Sequence, residues 1–153
     1  MFGLRNGALI AYMIIVLTAG LVVGSCKRAE ANEIVYQTIA MEAAGESLEG
    51  QAMVARVIIN RAKASNRSME AICLAPKQFS CWNDRKWAKR WLSRHYDSNT
   101  RLRAVKAYQG AAIASTAYAD VRHYHVKGIS PRWARGRKPT LIIGQHVFYA
   151  GIR

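Results

Sequence analysis

The stretch Glu33–Arg61, EIVYQTIAMEAAGESLEGQAMVARVIINR, most constrains what this chain can fold into. Two helical patterns meet at a glycine, and a carboxylate stands where packing would place an aliphatic side chain. In the first pattern, Glu33–Ala44, the residues Val35, Ile39 and Glu42 recur at spacings of four and three, so they share one helix face. A carboxylate on that stripe loses hydration, and its place in the last turn sets it against the negative end of the helix dipole. Both effects favour the protonated acid. An acid still protonated near neutral pH can give its proton to a leaving oxygen. The same pattern also fits an edge carboxylate that reaches water or pairs with one of the many arginines.

Gly45 suits a position just past a helix end, and Ser47 can cap a second helix with Glu49 in its first turn. That second pattern, Gly50–Arg61, buries Met53, Val54, Val57 and Ile58 and leaves Arg56, Asn60 and Arg61 towards its polar side or end. Glu46, in the bend, can either cap this helix or line a cleft.

From Asn6 to Cys26 there is no charged residue, and at about 1.5 Å per residue this run can cross a ~30 Å hydrocarbon layer. Residues 1–26 are therefore expected to be a signal peptide, a lipoprotein signal or a membrane anchor, with 27–32 a short linker and 33–153 the folded domain. Val23-Gly24-Ser25-Cys26 loosely resembles a lipoprotein box, cleavage can also occur after Ala31, and the third fate is a retained anchor. Lys27 and Arg28 sit poorly with export of the domain behind them, since Arg5 and the amino terminus only about balance them. The 23 Lys+Arg against 9 Asp+Glu give a net charge of +14, a field that attracts polyanions. Behind an export segment, anionic lipid and the acidic polymers of a bacterial envelope are the expected partners, rather than nucleic acid; the domain is expected to be a monomer.

Cys73 and Cys81 flank a turn-like segment and are expected to form a disulfide, the alternative being two small buried thiols. The loop Gln78–Asn83 mixes Phe79 and Trp82 with Ser80 and Asn83, a composition that suits a sugar-binding wall as well as ordinary core packing. Trp87, Trp91 and Arg94 share a helix face within a basic stretch, and Arg101–Ala119 reads as a helix packing through Ala104, Val105, Tyr108, Ala112 and Ile113. Two antiparallel strands are expected, Val121–Val126 and Leu141–Tyr149. His123 and His125 then point to one side of their strand, which raises a metal site with His146. No carboxylate or thiol stands beside them, so hydrogen-bonding roles are expected instead, with no metal and no cofactor.

Three blocks together resemble the SleB/CwlJ-type cell-wall hydrolases, the group that includes spore-cortex-lytic enzymes. The first is Ala40-Met41-Glu42-Ala43-Ala44-Gly45-Glu46 with Glu49-Gly50-Gln51 through Ile59-Asn60-Arg61. The second is Gln78-Phe79-Ser80-Cys81-Trp82, and the third is Tyr124-His125, Trp133-Ala134 and Ile143 through Tyr149. The resemblance implies a compact, lysozyme-like α+β domain, mainly helical with a small antiparallel sheet near the C-terminus, behind the N-terminal apolar helix. It implies cleavage of the β-1,4 bond between N-acetylmuramic acid and N-acetylglucosamine in peptidoglycan by lytic transglycosylation, at the envelope. The family's catalytic glutamate is the first of two in a GEARGE-like block, which is Glu42 here, and Glu46 matches the second. Met41 and Ala43-Ala44 depart from the family's usual glycine before and Ala-Arg after that acid. Gln78, Phe79, Ser80, Trp82, Tyr124, His125, His146 and Tyr149 are the expected supporting residues. The competing readings are a hydrolytic muramidase of the phage endolysin type, a non-catalytic envelope-binding lipoprotein, a nucleic-acid binder and, more remotely, a zinc amidase.

Overall fold

The structure, a computed structural model, describes residues 32–113 and 118–152, so the N-terminal apolar run lies outside the described residues. The unit described begins at Ile34. Helix α1 covers residues 32–43 and turns at Gly45 without a left-handed residue, the Ala43 carbonyl accepting from the Glu46 N–H. Ser47 caps α2 (Leu48–Ser65) through its hydroxyl, which accepts from Gly50 N at 3.2 Å, as its extended backbone and residue type predict. Asn66 ends α2 in the left-handed conformation with its N–H on the carbonyls of Ala62 and Lys63.

Helix α2 is buried on most of its circumference, which makes it the central element. Val54, Val57 and Ile58 are fully enclosed, as the spacing predicts, and the polar residues Gln51 and Asn60 are buried with them. Around it lie α1, α3 (Met69–Cys73), a 3₁₀ turn at Ser80–Trp82, α4 (Arg85–His95) and α5 (Ser98–Ile113). Val35 and Ile39 of α1 join Ile58, Phe79 and the alanines of α5 in one core. The buried face of α5 is Ala104, Ala107 and Ala111, not the face through Ala112 and Ile113; Ile113 is 86% exposed. Alanines at spacings of three and four allow close helix approach, and that selects this face over the one with larger side chains.

The C-terminal sheet has three strands where two were expected: β1 (Val121–Val126), β2 (Leu141–Ile143) and β3 (His146–Ala150), in the antiparallel order β1-β3-β2. The expected second strand folds back at Gly144-Gln145, with Gly144 at φ +53°, a conformation that favours glycine at the first central position of a tight hairpin. Register places Tyr124 opposite Phe148 and Val126 opposite His146 on one face; His123 stands opposite Tyr149 and His125 opposite Val147 on the other. The first face covers α2 through Val121 and Phe148, and the second closes over Trp133, Ala134 and Ile152.

Candidate active site

Three elements converge on Glu42. Its position on the stripe of α1 brings the carboxylate against the 3₁₀ turn and strand β1. Oε1 accepts from Ser80 Oγ at 3.1 Å and from the Cys81 N–H at 2.9 Å, and Oε2 accepts from Tyr124 Oη at 2.8 Å. The Cys81 donor is available because an amide at the start of a helical turn has no partner inside the turn. Tyr124 is half-buried beside the carboxylate; burial first, and then the Glu42 charge, push its phenol well above the usual range, so it remains a donor. Glu42 makes these bonds to two hydroxyls and one amide, and no arginine is among them.

The open side of the carboxylate faces a cleft of about 310 Å³, lined by Met41, Ser80, Trp87, Val126 and His146. Trp87 is 40% exposed there, a flat apolar surface beside a carboxylate. Its i+4 neighbour Trp91 lines a separate hollow with Gln51, His95 and Arg103, so the two tryptophans serve different places. Trp87 and Met41 were not expected site residues; exposure of a tryptophan on a basic helix is the one hint the sequence carries.

Glu46, four residues beyond Glu42 and past the end of α1, has a different environment. Its side chain is 9% exposed, Oε1 accepts from the Gln145 N–H at 3.0 Å, and His146 Nδ1 lies 3.6 Å from the same oxygen. A Cβ at Gly144 would stand 1.7 Å from Glu46 Oε2, so the β2–β3 turn is moulded onto this carboxylate. The Glu46 carbonyl in turn accepts from Gln51 Nε2 and Arg103 Nη2. His146, also buried, presents its ring edge-on to Tyr124 at 5.1 Å and lines the Glu42 cleft. Burial outweighs the pull of Glu46 and Glu42 and holds His146 below the ordinary imidazole range, so it is neutral at pH 7.

Asn60 and Arg61 position these parts, a role their place at the polar end of α2 does not announce. Asn60 Nδ2 donates to the carbonyls of Tyr118 and Val121 at 2.8 Å each, fixing the start of β1. Arg61 Nε donates to Arg122 O at 2.7 Å and its Nη1 to Gln78 O at 3.0 Å, so one guanidinium ties the strand bearing Tyr124 to the loop bearing Ser80.

Several expected site residues lie elsewhere. Phe79 is 2% exposed and lies under the Arg61 guanidinium, so it is core and not a cleft wall. Gln78 gives its carbonyl to Arg61, and Trp82 donates from Nε1 to Thr38 Oγ1 at 2.8 Å with Arg85 over its ring. His125 and Tyr149 lie on the sheet face opposite Glu42, because strand alternation separates them from Tyr124 and His146. There His125 Nδ1 meets Val126 O and Nε2 meets Tyr149 Oη, each at 3.0 Å. The same alternation parts His123 and His125 from His146, and among the described residues no cluster of three ligand-type side chains occurs. Cys73 and Cys81 are free, buried thiols and not the expected disulfide. Burial pushes the Cys73 thiol up to about 12 and Cys81 still further, with the Glu42 charge beside it. Both therefore remain protonated, the form that does not attack sulfur.

The family model described as Cell Wall Hydrolase matches residues 45–149. The chain belongs to the cell wall hydrolase family. Glu46, Ser80, Cys81, Tyr124 and His146 fall within the matched residues, and Glu42 stands just before them. This family member also shares its fold with the catalytic domain of the Bacillus cereus SleB protein. That crystal structure aligns with a TM-score of 0.57 at 22% identity, over 77% of this chain and 88% of that one. No curated protein sequence matches it significantly. Three other acids of the domain are accounted for by structure: Asp84 caps α4, Asp97 accepts from Thr100 N, and Asp120 binds Arg122 and the Gly151 N–H.

Proposed function

We propose that this cell wall hydrolase cleaves the β-1,4 bond between N-acetylmuramic acid and N-acetylglucosamine in peptidoglycan, with Glu42 as acid and base, by lytic transglycosylation. The observation that carries this reading is that Glu42 is the one carboxylate among the residues lining the cleft, held at three points on protein donors while its edge stays open. In its acid form Glu42 protonates the leaving glycosidic oxygen. As carboxylate it then takes the proton of the muramic acid 6-hydroxyl, which attacks the anomeric carbon and closes a 1,6-anhydro ring. A retaining or inverting hydrolase would place a second carboxylate about 5–9.5 Å away across the sugar. Glu46 is the nearest in sequence, and its oxygens are occupied by the Gly144-Gln145 turn.

The hydroxyls of Tyr124 and Ser80 suit both halves of this cycle, since a hydroxyl can donate to the carboxylate and accept from the acid. Trp87 offers a stacking surface for a sugar ring, and the exposed Arg85, Lys86, Lys89 and Arg90 around it attract the anionic peptide stems. In this reading the apolar run before Cys26 carries the domain to the cell envelope. Digestion of purified sacculi with mass spectrometry of the products tests the mechanism: 1,6-anhydro ends are expected, and reducing ends would replace transglycosylation with hydrolysis.

A further inference from the structure

A second cavity, of about 350 Å³, shares no lining residue with the cleft, and catalysis by Glu42 does not use it. Its lining joins Arg61, Arg67, Arg122 and His123 to the apolar Ile72 and Ile152. Three arginines thus line one hollow, and among the described residues Asp120 pairs with Arg122 through Nη2. Asp120 already accepts from Gly151 N, and Arg67 Nη2 donates to Ala71 O.

Two of these residues each carry a nitrogen buried without a hydrogen-bond partner among the described residues, Arg122 Nε and His123 Nδ1. Leaving a buried donor unmet is costly, and more so for a charged group. Adjacent strand residues ordinarily face opposite ways, but the register of β1 against β3 shifts between Val121 and His123, and this irregularity lets both side chains reach one cavity. The positive field is also felt by His123, whose imidazole is held below its ordinary range by burial and then by Arg61, Arg122 and Arg137.

We infer that this cavity is a binding site for an oxyanion, a carboxylate or phosphate group gripped by Arg122 and Arg67 with His123 as a further hydrogen-bond donor. Guanidinium forks match both anions in geometry. Peptide stems carry the first group and anionic envelope polymers the second, so the chemistry is shared and the source is a matter for experiment.

The test is thermal unfolding of the full chain with inorganic phosphate, and separately with a short peptide bearing a free C-terminal carboxylate or its amide, each against sodium chloride of equal ionic strength. At least one anion is expected to raise the midpoint beyond chloride, and Arg122→Gln is expected to weaken the response by about tenfold in apparent affinity. Arg67→Gln, at the rim, gives a smaller loss. A response to the carboxylate and not its amide assigns a peptide stem, and a response to phosphate alone assigns a phosphate ester. A response to neither, or one that Arg122→Gln leaves unchanged while the variant unfolds normally in chloride, overturns the site.

Discussion

Glu42 and Glu46 stand four residues apart in the same short block, one in a helix and one in the bend after it, and the fold treats them oppositely. Glu42 is held on three donors drawn from a turn and a strand and keeps an edge on an open cleft. Glu46 is enclosed by a hairpin whose glycine lies against its oxygen. Residue type and sequence distance do not separate a carboxylate that keeps an edge on a cleft from one enclosed by a turn; what closes over each does. Substitutions that remove one kind of holding and spare the other sharpen this contrast.

The largest effect is expected at Glu42. Glu42→Gln keeps the shape and removes the proton-transfer group, so muropeptide release from sacculi should fall at least about a hundredfold with little change in the unfolding midpoint. Retained activity would remove Glu42 from its role. Next comes Gly144→Ala, where a Cβ must displace Glu46 Oε2 at a positive φ, for an expected stability loss of about 1–3 kcal/mol by denaturant unfolding. Glu46→Ala in the same chain should recover part of that loss; strict additivity of the two changes would break the proposed coupling.

Tyr124→Phe removes one of the three donors to Glu42, and kcat is expected to drop roughly tenfold, about 1.4 kcal/mol, at unchanged fold. The smallest effect is in the pH dependence of stability. His146 and His123 have folded-state pKa values below their unfolded ones, so their contribution is present above about pH 6.5 and is lost as pH falls below it, because the unfolded chain then binds more protons. Unfolding midpoints across pH 7.5 to 5 should decline, and His146→Phe should flatten the slope; an equal slope in that variant would relieve His146 of this part.

The helices around the bend were legible because local signals decide them: the 3.6 period of Val35, Ile39 and Glu42, and the cap at Ser47. Strand β1 was legible in its β-branched and aromatic run. The hairpin at Gly144 was not, since Leu141–Tyr149 reads as one apolar strand until the close approach of Glu46 explains the glycine. The face of α5 was missed because alanine carries a weak periodic signal, and the packing of α2 chose among the candidates. Glu42 was visible as a misplaced carboxylate, but its donors come from 38 to 82 residues away and depend on loop placement. His125 and Tyr149 look like partners of Tyr124 in sequence and are excluded by the alternation of a strand whose buried side the sequence does not name.

The bond between Glu46 and the Gln145 amide joins residues 99 positions apart, and it bears on synthesis. The strand that holds Tyr124 against Glu42 pairs along its length with β3, the last of the three strands in chain order. A nascent chain made only as far as β1 therefore has Glu42 and Tyr124 without the strand that pairs with β1. Under the proposed mechanism, a domain built this way would cut no wall until β3 is made, and a chain truncated before the hairpin would have Glu42 but not the sheet that places Tyr124 against it.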